Sequence, residues 1–78
     1  MPTVLRENGF RFYFFSNEGQ EPPHVHVDKA DQAMKIWLET LAVAGVRMRR
    51  IDRNAALAIV ERHRDSLLEA WHGFFSGR

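Results

Sequence analysis

The fold is decided by residues 24–39, which read HVHVDKADQAMKIWLE. Apolar side chains recur at every second position in residues 24–28 and again in residues 32–39, which is the period of a β-strand. Residues 29–31 separate the two runs and favour a turn. The stretch therefore predicts an antiparallel hairpin whose strands have two distinct faces.

A second predicted hairpin precedes this one. Residues 3–6 favour a first strand and residues 10–16 a second, and Asn8-Gly9 between them supplies the positive φ angles of a tight type I′ turn. Residues 17–23 contain loop-forming residues throughout and end in two prolines, which lack backbone donors. We therefore expect a loop between the second and third strands.

Helical spacing replaces the strand period from about Asp52. Apolar residues then recur three or four positions apart between Leu57 and Phe75, which predicts one long amphipathic helix. Asp52 or Asn54 is the expected N-cap, and Gly77 is the expected stop.

The connection before this helix, residues 41–48, has no single period. It fits either a bulged continuation of a strand or a loose turn of helix around Gly45, and both alternatives stay open. Residues 1–78 thus predict a single α+β domain. Its antiparallel sheet has four strands in two hairpins and is packed on one face by the long C-terminal helix.

Alternation assigns the side chains to two faces of the sheet. The inner face, beneath the helix, comprises Phe10, Phe12, Phe14, Val25, Val27, Met34, Ile36 and Leu38. The outer face comprises Arg11, Tyr13, Phe15, His24, His26, Lys35 and Trp37. Because a single helix cannot cover both faces, we expect function on the outer face.

Composition narrows the class of protein. The net charge is +1, far from the excess that is typical of a dedicated nucleic-acid-binding protein. The absence of cysteine excludes disulfides and thiolate zinc sites. No apolar stretch approaches the roughly 20 residues that span a bilayer. We therefore expect a cytoplasmic protein with no membrane partner.

His24 and His26 are candidate catalytic residues, because they project from one side of a strand roughly 6.5 to 7 Å apart. As an acid and a base they suit cleavage of RNA phosphodiesters, with Arg11 or Lys35 stabilising the developing charge.

The same two imidazoles would also suit one metal ion, although zinc normally takes three or four protein ligands. The candidates for a further ligand are Glu21, Asp28, His63 and His72. Since no second ligand motif accompanies the histidine pair, we predict no metal site and no cofactor, and metal binding through the His-Val-His strand remains an alternative.

The other outer-face residues combine aromatic rings with cations: Arg11, Tyr13, Phe15, Lys35 and Trp37. This combination is typical both of platforms that stack single-stranded bases and of the centres of protein interfaces. An apolar second face is more often covered by another chain, so we favour a protein partner or a second copy over RNA.

A basic cluster precedes the predicted helix and comprises Arg47, Arg49, Arg50 and Arg53. Positive charge at a helix start opposes the helix dipole, and a bound anion would offset that cost. The cluster is therefore a candidate contact for phosphate or for an acidic partner.

Several segments together resemble the domain-of-unknown-function family 4160 (DUF4160) of bacteria. They are MPTVLR at 1–6, FYF at 12–14, SNE at 16–18, EPPHVHV at 21–27, KIWL at 35–38 and LLEAWH at 67–72. The resemblance covers nearly the whole chain, although residues 46–56 depart from the usual pattern. It implies a small prokaryotic protein without an assigned activity, often encoded beside another small protein in arrangements that resemble toxin–antitoxin pairs. No catalytic residue carries over.

We therefore predict a small interaction protein, one component of a toxin–antitoxin-like pair, that binds a cognate protein or itself. Its expected anchors on the outer face are Arg11, Tyr13, Phe15 and Trp37. An RNA-binding or RNA-cleaving toxin is the main alternative.

Overall fold

The computed structural model describes residues 3–76. These residues form five strands and two helices. The strands are β1 Thr3–Glu7, β2 Phe10–Tyr13, β3 His24–Lys29, β4 Gln32–Trp37 and β5 Val43–Arg47, and the helices are α1 Arg50–Arg62 and α2 Arg64–Phe75. The sheet is antiparallel, with the strand order β1-β2-β3-β4-β5. Within the described range, neither helix is long and apolar enough to cross a membrane. The expected helix stop at Gly77 lies outside the described residues.

The two predicted hairpins are confirmed. Asn8 and Gly9 have φ angles of 53° and 84° and connect β1 to β2, as a type I′ turn requires. The β3–β4 hairpin pairs His24 with Trp37 at one end and Lys29 with Gln32 at the other.

The inner face of the sheet is the hydrophobic core, as the alternation predicts. All eight predicted inner-face residues are buried: Phe10, Phe12, Phe14, Val25, Val27, Met34, Ile36 and Leu38. From the helices, the core receives Ala56, Ile59, Val60, Leu67 and Trp71. Burying an aromatic or branched side chain contributes about 1.5 to 3 kcal/mol, so this layer is the main source of stability.

The prediction of four strands is wrong, because residues 43–47 add β5 to the edge of the sheet. Ile36 pairs with Val43 and Lys35 with Ala44, after which the register shifts. Gly45 lies at this irregularity with a φ of 54°. The shift interrupts the side-chain alternation of residues 43–47, so the sequence does not reveal this strand. Of the two alternatives for this segment, the bulged strand is correct.

The prediction of one long helix is also wrong, because the helix breaks at His63. The backbone there adopts φ −107° and ψ 15°, and its N–H donates to the carbonyls of Ile59 and Val60. The carboxylate of Glu7 on β1 binds the Nε2 of His63 at 3.0 Å and also pairs with Arg62. The buried residues of α1 and α2 follow one continuous helical spacing across the break. The hydrophobic period of the sequence therefore does not reveal the break.

The start of α1 differs from the prediction as well. Its N-cap is Arg49, with no capping bond from its own side chain, and Asp52 lies in the first turn. Gln32 on β4 holds this helix start instead: its Oε1 accepts the Arg49 backbone N–H at 2.7 Å, and its Nε2 donates to the Asp52 carboxylate at 2.7 Å. Asp52, only 7% exposed, also accepts from Lys29 at 3.1 Å and from the Arg49 side chain at 2.9 Å.

These contacts predict an acid-dependent loss of stability. Hydrogen bonds from Gln32, then Arg49 and Lys29, lower the pKa of Asp52 from 3.8 to about 2. A carboxyl group whose pKa is lower in the folded state stabilises the fold above its unfolded pKa, and this contribution is lost as the pH falls from 3.8 towards 2. Thermal unfolding of Asp52→Asn should therefore depend less on pH in this window than that of the wild type.

Asp65→Asn is the matched control, because Asp65 is exposed in the first turn of α2. That variant should keep the acid dependence of the wild type. Equal acid dependence in Asp52→Asn and the wild type would contradict the assignment of this loss of stability to Asp52.

Candidate functional site

The loop between β2 and β3, residues 14–23, packs against β3 through Glu18 and against the end of α2 through Gly19. Two turns shape it, since the backbone N–H of Glu18 donates to Phe15 and that of Glu21 donates to Glu18, at 3.2 and 3.1 Å. These turns direct the Glu18 side chain towards β3. A single carboxylate oxygen, Glu18 Oε1, lies 2.7 Å from His24 Nε2 and 2.8 Å from His26 Nε2.

The sequence predicts His24 on the outer face, uncovered by the helix, but the residue is completely buried and its ring contacts Trp71 of α2. Its Nδ1 lies 2.9 Å from the carbonyl oxygen of Pro22. A carbonyl only accepts, so Nδ1 carries the hydrogen, and Nε2 points at Glu18. The imidazole lies between the indoles of Trp37 and Trp71, with ring centroids 5.1 and 4.9 Å away. Both ring nitrogens are therefore engaged within the protein.

His26 is partly exposed beside the same carboxylate. Its ring stacks on Tyr13 with centroids 5.5 Å apart, and Phe15 meets it edge-on at 4.5 Å. The His24 and His26 centroids are 5.2 Å apart. The strand period thus brings the two imidazoles together, as the sequence predicts.

The third member of the cluster is Glu18, which sequence reasoning missed. The donor atoms of Glu18, His24 and His26 all lie within 4.8 Å of one another. Hereafter these three residues are the Glu-His-His cluster. The only available signal was the position of Glu18 in the loop that leads into β3, and periodicity does not specify loop side chains.

The residues that the sequence offered as further ligands do not join the cluster. Asp28 accepts from Tyr13 Oη at 3.0 Å and pairs with Arg11 at 3.9 Å. Glu21 pairs with Lys35 at 3.0 Å. His63 binds Glu7, and His72 is exposed on α2.

The environment of Glu18 favours its charged form. Partial burial raises the pKa of Glu18, but hydrogen bonds and electrostatic interactions with His24 and His26 lower it by more. The net effect is a pKa below the ordinary value. The cluster therefore holds a carboxylate at neutral pH.

Two cation–aromatic pairs occupy the rest of the outer face. The guanidinium of Arg11 lies 4.4 Å from the ring centroid of Tyr13, and Lys35 Nζ lies 4.1 Å from that of Trp37. Tyr13 is only 8% exposed, whereas Trp37 is partly exposed. Burial and the hydrogen bond to Asp28 raise the pKa of Tyr13, so its hydroxyl stays protonated. The face is thus aromatic, and both of its cations are paired.

Comparison with protein families matches the model of a domain of unknown function, DUF4160, to residues 9–72. This chain belongs to the DUF4160 family. A search of curated proteins and a search of solved structures found no significant match.

The DUF4160 chain has two clefts at opposite ends of the β3–β4 hairpin. At the Trp37 end, a cleft of about 300 Å³ is lined by Pro22, Pro23, Trp37, Glu39 and Thr40. At the turn end, a cleft of about 620 Å³ is lined by Ala30, Asp31, Gln32, Arg47, Met48 and Arg49.

The predicted basic cluster lies at the second cleft and along the start of α1. Arg49 pairs with Asp52 at 2.9 Å. For Arg47, Arg50 and Arg53, no carboxylate of residues 3–76 lies within ion-pair distance. The structure therefore separates these arginines from the Glu-His-His cluster and does not join them into one site.

The position of the loop depends on Gly19. A Cβ on Gly19 would lie 2.5 Å from Cδ1 of Phe75, closer than two carbon atoms approach. Gly19→Ala should therefore displace the loop or the Phe75 ring and lower the free energy of unfolding by about 1 to 3 kcal/mol. Urea denaturation measures this change.

Gly73→Ala is the matched control, because Gly73 is on α2 and a Cβ there meets no atom within 4 Å. Alanine favours a helix over glycine, so this variant should be more stable by up to about 1 kcal/mol. Equal stabilities of Gly19→Ala and the wild type would show that the close contact does not constrain the loop.

Proposed function

We propose that this DUF4160 protein is a small cytoplasmic interaction module of bacteria that binds a cognate small protein on the outer face of its sheet. The observation that carries the proposal is the cleft of about 300 Å³ between Pro22, Pro23 and the indole of Trp37. Pairing with a second small protein, in a toxin–antitoxin-like arrangement, is what the family resemblance implies.

The Trp37 cleft has the chemistry of an interface anchor. A tryptophan offers a large apolar surface, and tryptophan is enriched among the residues that dominate binding energy. The two adjacent prolines have no backbone N–H to leave unpaired and are conformationally stiff. A partner's apolar side chain can therefore enter the cleft at a small cost in desolvation and entropy.

The charges on the outer face support a protein partner over RNA. Arg11 is paired with Asp28 and Lys35 with Glu21, so these cations are already neutralised by carboxylates. Phosphate binding depends on cations that are available to replace counterions. Glu39 at the Trp37 cleft adds a further negative charge.

The burial of His24 gives less support to the RNA-cleaving alternative. An acid or a base must come within hydrogen-bond reach of the reacting group. His24 has no exposed surface, and both of its nitrogens already have partners. Cleavage through His24 and His26 would require the loop to open first.

Trp37→Ala tests the interface. The substitution should weaken binding to the protein encoded beside this one by about 1 to 4 kcal/mol, because truncation removes the anchor of the cleft. Isothermal titration calorimetry measures the affinity, and sedimentation equilibrium shows whether a second copy occupies the face instead. Circular dichroism checks that the fold is intact.

Ile51→Ala is the matched control, because Ile51 is 75% exposed at the start of α1, away from the outer face. That variant should bind like the wild type. Unchanged affinity and unchanged mass in Trp37→Ala would exclude this face as the binding surface.

A further inference from the structure

Beyond partner binding, we propose that Glu18, His24 and His26 form a binding site for one divalent transition-metal cation of the zinc type. The site would use His24 Nε2, His26 Nε2 and Glu18 Oε1 as its three protein ligands. Two imidazoles and one carboxylate are a ligand set that zinc and similar cations accept.

The geometry of the donor atoms supports a common centre. Glu18 Oε1 lies 2.7 and 2.8 Å from the two Nε2 atoms, and all three donors lie within 4.8 Å of one another. In a tetrahedral zinc site with bonds of about 2.0 to 2.1 Å, ligand atoms lie about 3.3 Å apart. Glu18 would have to withdraw by about half an ångström, which its place in a loop permits, and the two Nε2 atoms, which lie within 4.8 Å of each other, would have to approach to about 3.3 Å.

The hydrogen bond from His24 to the backbone orients a ligand. The Pro22 carbonyl fixes the hydrogen on Nδ1 and so directs Nε2 into the cluster. Metal-binding histidines usually donate their other N–H to a carbonyl or a carboxylate, which sets the tautomer and the ring orientation. His24 has this outer partner in place.

No other cation of residues 3–76 competes for the charge of Glu18. Among residues 3–76, its ion-pair partners are the two imidazoles alone, because Arg11 pairs with Asp28 and Lys35 with Glu21. The negative charge of Glu18 is therefore available to a cation that His24 and His26 bind.

Aromatic rings enclose the cluster on several sides. They belong to Tyr13, Phe15, Trp37 and Trp71. Such a shell lowers the local dielectric constant and strengthens the attraction between a cation and its ligands. The side chains of His26 and Glu18 keep 17% and 19% of their surface exposed, which leaves a path for an ion.

The ligand types select the metal. Imidazole nitrogen suits zinc, copper, nickel and iron, whereas magnesium and calcium prefer all-oxygen sites. Three protein ligands leave a fourth position for water or for a group of a bound molecule.

Zinc titration of the purified protein, with a chromogenic chelator as competitor, tests the site. The wild type should bind one zinc ion, and magnesium in excess should not displace it. Glu18→Gln and His26→Gln should each lower the zinc affinity by more than about 100-fold, since even loss of an outer-shell partner costs 10- to 100-fold. These two variants change partly exposed residues and spare the buried His24.

His72→Gln is the matched control, because His72 is an exposed imidazole outside the cluster. It should bind zinc like the wild type. Circular dichroism of the metal-free variants checks folding, and the electronic spectrum of the cobalt-loaded wild type should change in Glu18→Gln and not in His72→Gln.

Three outcomes would overturn the proposal. The first is a wild-type zinc affinity no higher than that of folded Glu18→Gln, which would make the cluster a hydrogen-bonded one only. The second is a loss of zinc affinity in His72→Gln equal to that in Glu18→Gln, which would indicate adventitious surface binding. The third is displacement of zinc by magnesium.

Discussion

Side-chain alternation along β3 is the constraint on which both the core and the candidate site depend. Val25 and Val27 enter the interior completely, and the residues between and before them, His26 and His24, must therefore project to the other face. A shift of one residue in register would exchange the two sets. The free-energy cost of exposing Val25 and Val27 to water therefore also keeps the imidazoles of His24 and His26 beside Glu18.

The inner and outer faces of the sheet could be predicted from the sequence because strand periodicity acts over many residues at once. The missed features depend on single positions. The register shift between Ala33 and Lys35 hid β5, and the break at His63 coincides with a contact to Glu7, which is 56 residues away. The role of Glu18 depends on the path of a loop, and no local period describes such a path.

Three carboxylates connect different elements of the fold. Glu18 joins the loop to β3, Glu7 joins β1 to the helix break, and Asp52 joins α1 to β3 and β4. Each accepts from two or more donors, and hydrogen bonds to a charged group contribute more than neutral ones. In a chain of 78 residues without disulfides, these polar joints supplement a small hydrophobic core.

The outermost strand also limits how the molecule can assemble. An exposed β-edge offers unpaired amide and carbonyl groups, along which further copies can stack without end into fibrils. In β5 the left-handed backbone of Gly45 and the register shift against β4 distort this row of groups. A distorted edge is a poor template for strand addition, so the irregularity that conceals β5 in the sequence also disfavours the pairing of further strands along β5.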